Sequence, residues 1–333
     1  MSLLCAMLVV ALHVFPSNDA NFIVRFIDKY FAYGLGRIAV PYFFMLSGYF
    51  IGRHATEQGW WRTCVRKRIQ SLFVPYIIWN IAFTLLVLSS IILANHSSGR
   101  SVFSGFDRIN WFRIVGMDPY CQPINGVTWY IRALFMYLAI SPLFVFLLRK
   151  SSCIVLGLIG ILYLLYFDPV STLRTARFFS ACFSLEGFFY YVMGLFVAVN
   201  HPRIQIVNRS SAIVAALLLF GGGMTLLRMY FWCHQDIIIF NCARVVVIPL
   251  WLTGIWMLMP YKELPGWMCN ASFAIFVMHP FVIYVYKNIM KGAVDSLGGY
   301  LGCVLVSVAL PMWIASWLRT HMIRIAGIVL GGR

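Results

Sequence analysis

The sequence predicts an all-α fold: a polytopic membrane helix bundle of about ten transmembrane helices, with both termini cytoplasmic, forming a single domain over residues 1–333. Three observations carry this expectation. Hydrophobic residues make up 62% of the chain and charged residues 11%, too little polar sequence to clothe a soluble globule of this length. The apolar residues gather in runs close to the ~20 needed to cross a bilayer, with short polar connections between them. Lysine and arginine are spread unevenly over alternate connections, as membrane orientation demands.

Taken in order, the expected helices lie near 1–16, 35–53, 72–94, 129–148, 152–167, 179–199, 211–232, 240–259, 269–287 and 298–317, the first and fifth being short. The longest connection, 95–128, carries Gly, Ser, Asn, Pro and two aspartates and reads as a surface loop. With a cytoplasmic N-terminus the inner connections hold 13 lysines and arginines against 9 outside, and the densest cluster, Arg62 to Arg68, falls inside. The first segment lacks a basic leader and a small-residue exit, so no cleavable signal peptide is expected.

Several function classes are excluded. The net charge of +16 is scattered between apolar runs without a nucleic-acid-binding signature, so no nucleic acid is expected as a partner. The lipid bilayer and anionic groups are the expected partners of that charge. Nine cysteines form no Cys-x-x-Cys pair and read as small buried hydrophobes, so neither a metal site nor a disulfide frame is expected. No Walker, Rossmann, HExxH or GxSxG pattern occurs, which argues against ATP-driven transport and zinc chemistry.

The stretch that organises the chain runs from Leu35 to Tyr76. It sets Arg37, Pro41 and the pair Ser47-Gly48 in apolar sequence, then a basic turn, then Pro75-Tyr76. An arginine at membrane depth costs about 2.5 to 3.5 kcal/mol even on lenient scales, so it points to a site facing other helices or water; the plain alternative is a snorkelling side chain. The small pair suggests close helix contact.

Arg37, Arg132, Arg228 and Arg244 all fall within apolar segments, together with Glu186 and His13, and the expected topology puts all six in the outer half. A set that includes an acid and a histidine predicts a hydrated cavity there. His13, walled by apolar residues and titrating near neutrality, stands where a general base belongs; a packing histidine is the alternative. His279 lies deep in another span beside Pro280, where a hydrogen bond across helices explains it equally well. Arg66, Lys67 and Arg68, with Arg62, form an inner-face cluster whose guanidinium forks match phosphate oxygens, or which simply anchors the helix. Trp129 and Tyr130, next to Arg132, are either an interfacial belt or a surface for a sugar or an acyl chain.

Five motifs in order give these residues a context: Val9 to His13, Val40 to Tyr49, Lys67-Arg68-Ile69 through Pro75-Tyr76, Trp129 to Leu134 through Ser141-Pro142-Leu143, and Ser272 through His279-Pro280. In this the chain resembles the acyltransferase family 3 membrane proteins, which include O-acetyltransferases of bacterial cell-surface polysaccharides. The resemblance implies a multi-pass protein of the cell (inner) membrane. It implies transfer of an acyl group, usually acetyl, from acyl-coenzyme A (acetyl-CoA) to a hydroxyl of a saccharide or glycolipid acceptor. His13 matches the family's essential histidine, as base or acyl carrier, and Arg68 the first arginine of its R-x-x-R motif. The second arginine is Ser71 here, which hands donor binding to Arg66 or Lys67.

The family's arginine eleven residues before the histidine is Ser2 here, and with the short first segment this implies a start further upstream. An outer-half arginine such as Arg37 would stabilise the oxyanion, and Trp129, Tyr130, Arg132, Glu186, Arg228, Arg244 and His279 would line the acceptor side. The other classes that fit the residues are a glycolipid transporter or flippase, in which the same cavity binds without reacting, and a membrane sensor.

Overall fold

A computed structural model describes residues 1–32, 35–98, 113, 122–166, 183–200, 248, 251–252 and 265–332. Among these residues every regular element is helical. The α-helices are α1 (Ser2–Leu12), α2 (Phe22–Ile27), α3 (Ala39–Gly52), α4 (Trp60–Arg68), α5 (Val74–Ser97), α6 (Trp129–Tyr166), α7 (Leu185–Asn200), α8 (Gly266–Cys269), α9 (Ser272–Ile289), α10 (Leu297–His321) and α11 (Ile323–Val329). Four stretches are long and apolar enough to cross a membrane: Trp60–Ser97, Gly126–Tyr163, Ser272–Ile289 and Leu297–His321. The expected segment 211–232, and all of 240–259 but residues 248, 251 and 252, lie outside the described residues.

Two connections carry helix where sequence spacing gave only linkers. The first contains α2, whose N-terminus is capped by Asn21 Oδ1 accepting from the Ile23 amide at 2.9 Å. Six residues cannot register in a search tuned to bilayer-length runs. The second is α4, which joins α5 through a π-helical turn at Ile69–Phe73, so the basic cluster opens a 38-residue helical stretch instead of preceding one.

α6 covers two expected segments and breaks between them, at Ser151 (φ −151°, ψ 64°). Its two halves flank the same pair of rings on α7. Phe144 meets Phe188 at 4.8 Å between centroids and Tyr163 meets Phe189 at 6.1 Å. In a straight helix, residues 144 and 163 would stand ~28 Å apart, so the chain reverses direction at Ser151. The polar run Arg149-Lys150-Ser151-Ser152 had placed a connection there.

The tightest packing joins α3 to α7. A Cβ built on Gly48 would fall on the carbonyl oxygen of Tyr191, and one built on Gly194 would fall on that of Met45. Gly52, four residues after Gly48, approaches Ala198 in the same seam. Small residues at this spacing let two backbones come together, which in lipid supplies the dispersion contact that drives association. α1 sets Cys5 and Val9 against Ala39 of α3, and on another face Ala6 and Val10, with Val14 just beyond the helix, cluster with Ala271, Ile275 and Cys303 at the α9–α10 hairpin. The turn after α1 is tied to the same hairpin: Asp295 accepts from the Ser17 amide at 2.7 Å.

Polar groups inside the bundle pin the helices in register. Asn80 is fully buried; its Nδ2 donates to Tyr76 O at 2.8 Å and to Thr128 Oγ1 at 3.0 Å, and its Oδ1 accepts from the Asn125 amide at 3.1 Å. Asn125 Nδ2 donates onward to Val277 O at 3.3 Å. α5, the start of α6 and α9 are thereby held together at one level. Of the free thiols, Cys5, Cys64 and Cys303 are buried and Cys153 is exposed.

Candidate active site

His13 terminates α1. Its amide donates to Val10 O at 3.0 Å, one residue short of the α-helical partner, and the carbonyl thus released, Val9 O, receives the ring Nδ1 at 2.7 Å. A carbonyl only accepts, so Nδ1 carries the proton and Nε2 of the neutral ring keeps a lone pair. Phe15, two residues on, holds a left-handed backbone (φ 44°) costly for a side chain with a Cβ, and Lys287 Nζ donates to its carbonyl at 3.0 Å. The ring of Phe15 lies edge-on to His13 at 5.9 Å.

On its other side His13 meets His279, with ring centroids 5.2 Å apart. His279 is fully buried and repeats the arrangement: Nδ1 donates to Ile275 O at 2.9 Å, which leaves Nε2 as the acceptor, buried without a hydrogen-bond partner. Two imidazoles from α1 and α9, each locked in one tautomer by its own helix, thus stand together. Sequence reasoning singled out both, but it paired neither with the other.

Three cavities lie elsewhere in the bundle. At the basic end a chamber of about 580 Å³ is lined by His54, Glu57, Lys67, Arg68, Gln70 and Ser71, together with residues of α11 and the glycines after it. Among the described residues neither Lys67 nor Arg68 is in an ion pair; His54 and Glu57 form one, at 2.7 Å. The second cavity, about 350 Å³, shares Phe50 and Arg68 with the chamber and continues between apolar walls to Ser47, Tyr130 and Phe276. Tyr130 is fixed there by donating to Phe43 O at 3.0 Å and accepting from Ser47 Oγ at 2.9 Å. Phe276 meets Tyr130 edge-on at 5.7 Å and lies one helical turn before His279.

The third cavity, about 130 Å³, lies at the Arg37 end, lined by Leu12, Arg37, Pro41, Phe44, Trp129, Ser184 and Glu186. The rings of Phe44, Trp129 and Tyr130 stand between it and the apolar cavity, with Phe44 4.5 Å from Tyr130 and 5.9 Å from Trp129.

The structure therefore brings together Arg37, Glu186 and Trp129 around one cavity; Leu12 lines it too, but its neighbour His13 is not among the lining residues of any of the three cavities, and neither is His279. The lining of the Arg37 cavity among the described residues does not take in Arg132, which is half-buried one turn beyond Trp129. Arg228 and Arg244 lie outside the described residues. Tyr130 parts from Trp129 and faces the apolar cavity. Of the basic cluster, Lys67 and Arg68 line the chamber, while Arg66 is exposed and is not among its lining residues.

A bundle of membrane-length helices, with a histidine pair, a basic chamber and a small cavity that carries Arg37 and Glu186, defines a membrane protein with the parts of a group-transfer enzyme. The comparison with family models narrows the class: the model described as acyltransferase domain, of acyltransferase family 3, matches residues 3–316. The chain belongs to that family and is a membrane acyltransferase. No curated protein and no solved structure matches it.

Proposed function

We propose that the protein is a membrane O-acyltransferase that moves an acyl group, acetyl by its resemblance, from acyl-CoA to a hydroxyl of a cell-surface or lipid-linked saccharide, in the cell (inner) membrane. One observation supports this reading: the basic chamber and the apolar cavity share Phe50 and Arg68, so a site suited to phosphates adjoins an apolar space that reaches Phe276, one helical turn before His279. The phosphates of the donor belong with Lys67 and Arg68, and the pantetheine arm with the passage past Leu46, Leu72 and Leu134. The acceptor enters at the Arg37 end.

His13 Nε2 takes the proton of the acceptor hydroxyl as its oxygen attacks the thioester carbonyl. The oxyanion so formed is stabilised by a positive group, the role given to Arg37. Its collapse breaks the C–S bond, the ester remains on the acceptor, and the thiolate recovers the proton from His13. A fixed Nδ1–H tautomer keeps Nε2 aimed throughout. The test is acetyl transfer and free-thiol release by purified protein with acetyl-CoA and envelope saccharide. His13→Ala is expected to lower turnover about 10² to 10⁴-fold, the usual worth of a positioned base. Turnover at the wild-type rate refutes the assignment, and saccharide movement without thiol release makes the protein a carrier.

A further inference from the structure

The chamber at the basic end has a wall that the acyl-transfer reading does not require. Gly327, Gly331 and Gly332 line it together with Lys67 and Arg68, and all three lie beyond the stretch 3–316 matched to the family. This wall is built in, since Trp79 Nε1 donates to Val329 O at 3.0 Å, Leu330 is fully buried, and Ala326 is buried one turn before it. Gly331 and Gly332 both adopt left-handed backbone (φ 74° and 66°), which turns the chain back over the π-helical turn. A Cβ on Gly331 would fall on the carbonyl oxygen of Ser71.

Ser71 is thus covered by this segment at the position where the R-x-x-R pattern has its second arginine. The three glycines give the chamber lining bare backbone beside its two cations. A flat or bulky phosphorylated group can approach such a wall closely, because no side chain intervenes. A Cβ at Gly327 or Gly332 would meet nothing within 4 Å, so that space is open.

We infer that residues 323–332 form a donor clamp: together with Lys67 and Arg68 they enclose the nucleotide end of the acyl donor and set its affinity. The inference rests on the acyl-CoA reading above and adds residues to it. The glycines contribute room and backbone contact, and the cations contribute charge.

The decisive variant is Gly327→Leu. Gly327 is helical, lines the chamber and has open space at its Cβ position, so leucine adds bulk at the chamber wall with a better helix former and no backbone strain. In the full-length protein in nanodiscs, the KM for acetyl-CoA is expected to rise at least tenfold. The thermal midpoint and the turnover of S-acetylpantetheine, which lacks the nucleotide, are expected to stay at wild-type values. Gly331→Ala, strained against Ser71, is expected to raise the same KM. Unchanged KM for acetyl-CoA in Gly327→Leu overturns the clamp, as does an equal loss with both donors. If instead the wild-type protein neither binds nor turns over acetyl-CoA, the donor reading falls and the clamp with it. If Arg68→Ala weakens acetyl-CoA while Gly327→Leu does not, only the clamp falls.

Discussion

The contact between α3 and α7 can be tested by adding one carbon atom on either side. Gly48→Ala places a Cβ on the carbonyl oxygen of Tyr191, and Gly194→Ala places one on that of Met45. Both obstacles are helix backbone, which cannot rotate aside as a side chain can. The helices must separate, and overpacking of this kind costs about 1 to 3 kcal/mol. Because both obstacles lie in one seam, separation forced by the first substitution makes room for the second. The double variant should therefore lose much less than the sum of the singles. The buried thiols of Cys5, Cys64 and Cys303 supply the assay, a thiol-reactive fluorophore that reports their exposure on heating. Each single variant is expected to melt several degrees below wild type, with acyl transfer reduced because α3 carries Phe44 and Ser47. Single variants that melt with wild type, or a double whose loss equals the sum, refute the packing argument.

Further predictions follow from other sites. Burial pushes the Asp28 carboxyl up from its ordinary 3.8 to about 6, against the pull of Lys29 and Lys287. Between those values the folded protein binds more protons than the unfolded chain. Stability is therefore fully present below about 3.8 and is lost as pH rises through 6. Asp28→Asn is expected to raise the melting midpoint at pH 7.5 and leave it unchanged at pH 3.5; the opposite order counts against the burial. Asn80→Ala leaves the buried Asn125 amide without its acceptor, while Thr128 Oγ1 keeps its bond to Asn125 O, and should cost about 1 to 3 kcal/mol, the usual penalty for one buried group left unsatisfied; a thermal shift near zero contradicts that network. Phe276→Ala removes a ring between the apolar cavity and the histidine pair. Thiol release from acetyl-CoA without acceptor should rise severalfold as water enters, and an unchanged rate denies Phe276 that role.

How far the sequence revealed this arrangement depends on the kind of information each feature needs. Helices were legible because a bilayer-length apolar run has few alternatives, and the reversal at Ser151 was legible because charged residues interrupt such a run. The small pair Ser47-Gly48 announced a close contact, but its partner Gly194 did not, because composition states that a helix can be approached and not by which neighbour. His13 and His279 are far apart in sequence and meet only through the packing of α1 on α9. Trp129 and Tyr130 were read as one patch, yet successive helical residues point ~100° apart, enough to send them to different cavities. The same geometry separates Arg66 from Lys67 and Arg68. Gly331-Gly332 after a short apolar stretch is a turn signal, but nothing in its composition ties that turn to the basic cluster.

The partition made by Phe44, Trp129 and Tyr130 has a consequence for the cell as a whole. On the proposed reading reactants enter at both ends of the bundle, and a protein so built must still hold the electrochemical gradient of its membrane. Among the described residues, Phe44, Trp129 and Tyr130 set ring carbon between the two cavities. Acyl transfer past such a layer would leave the voltage across it intact.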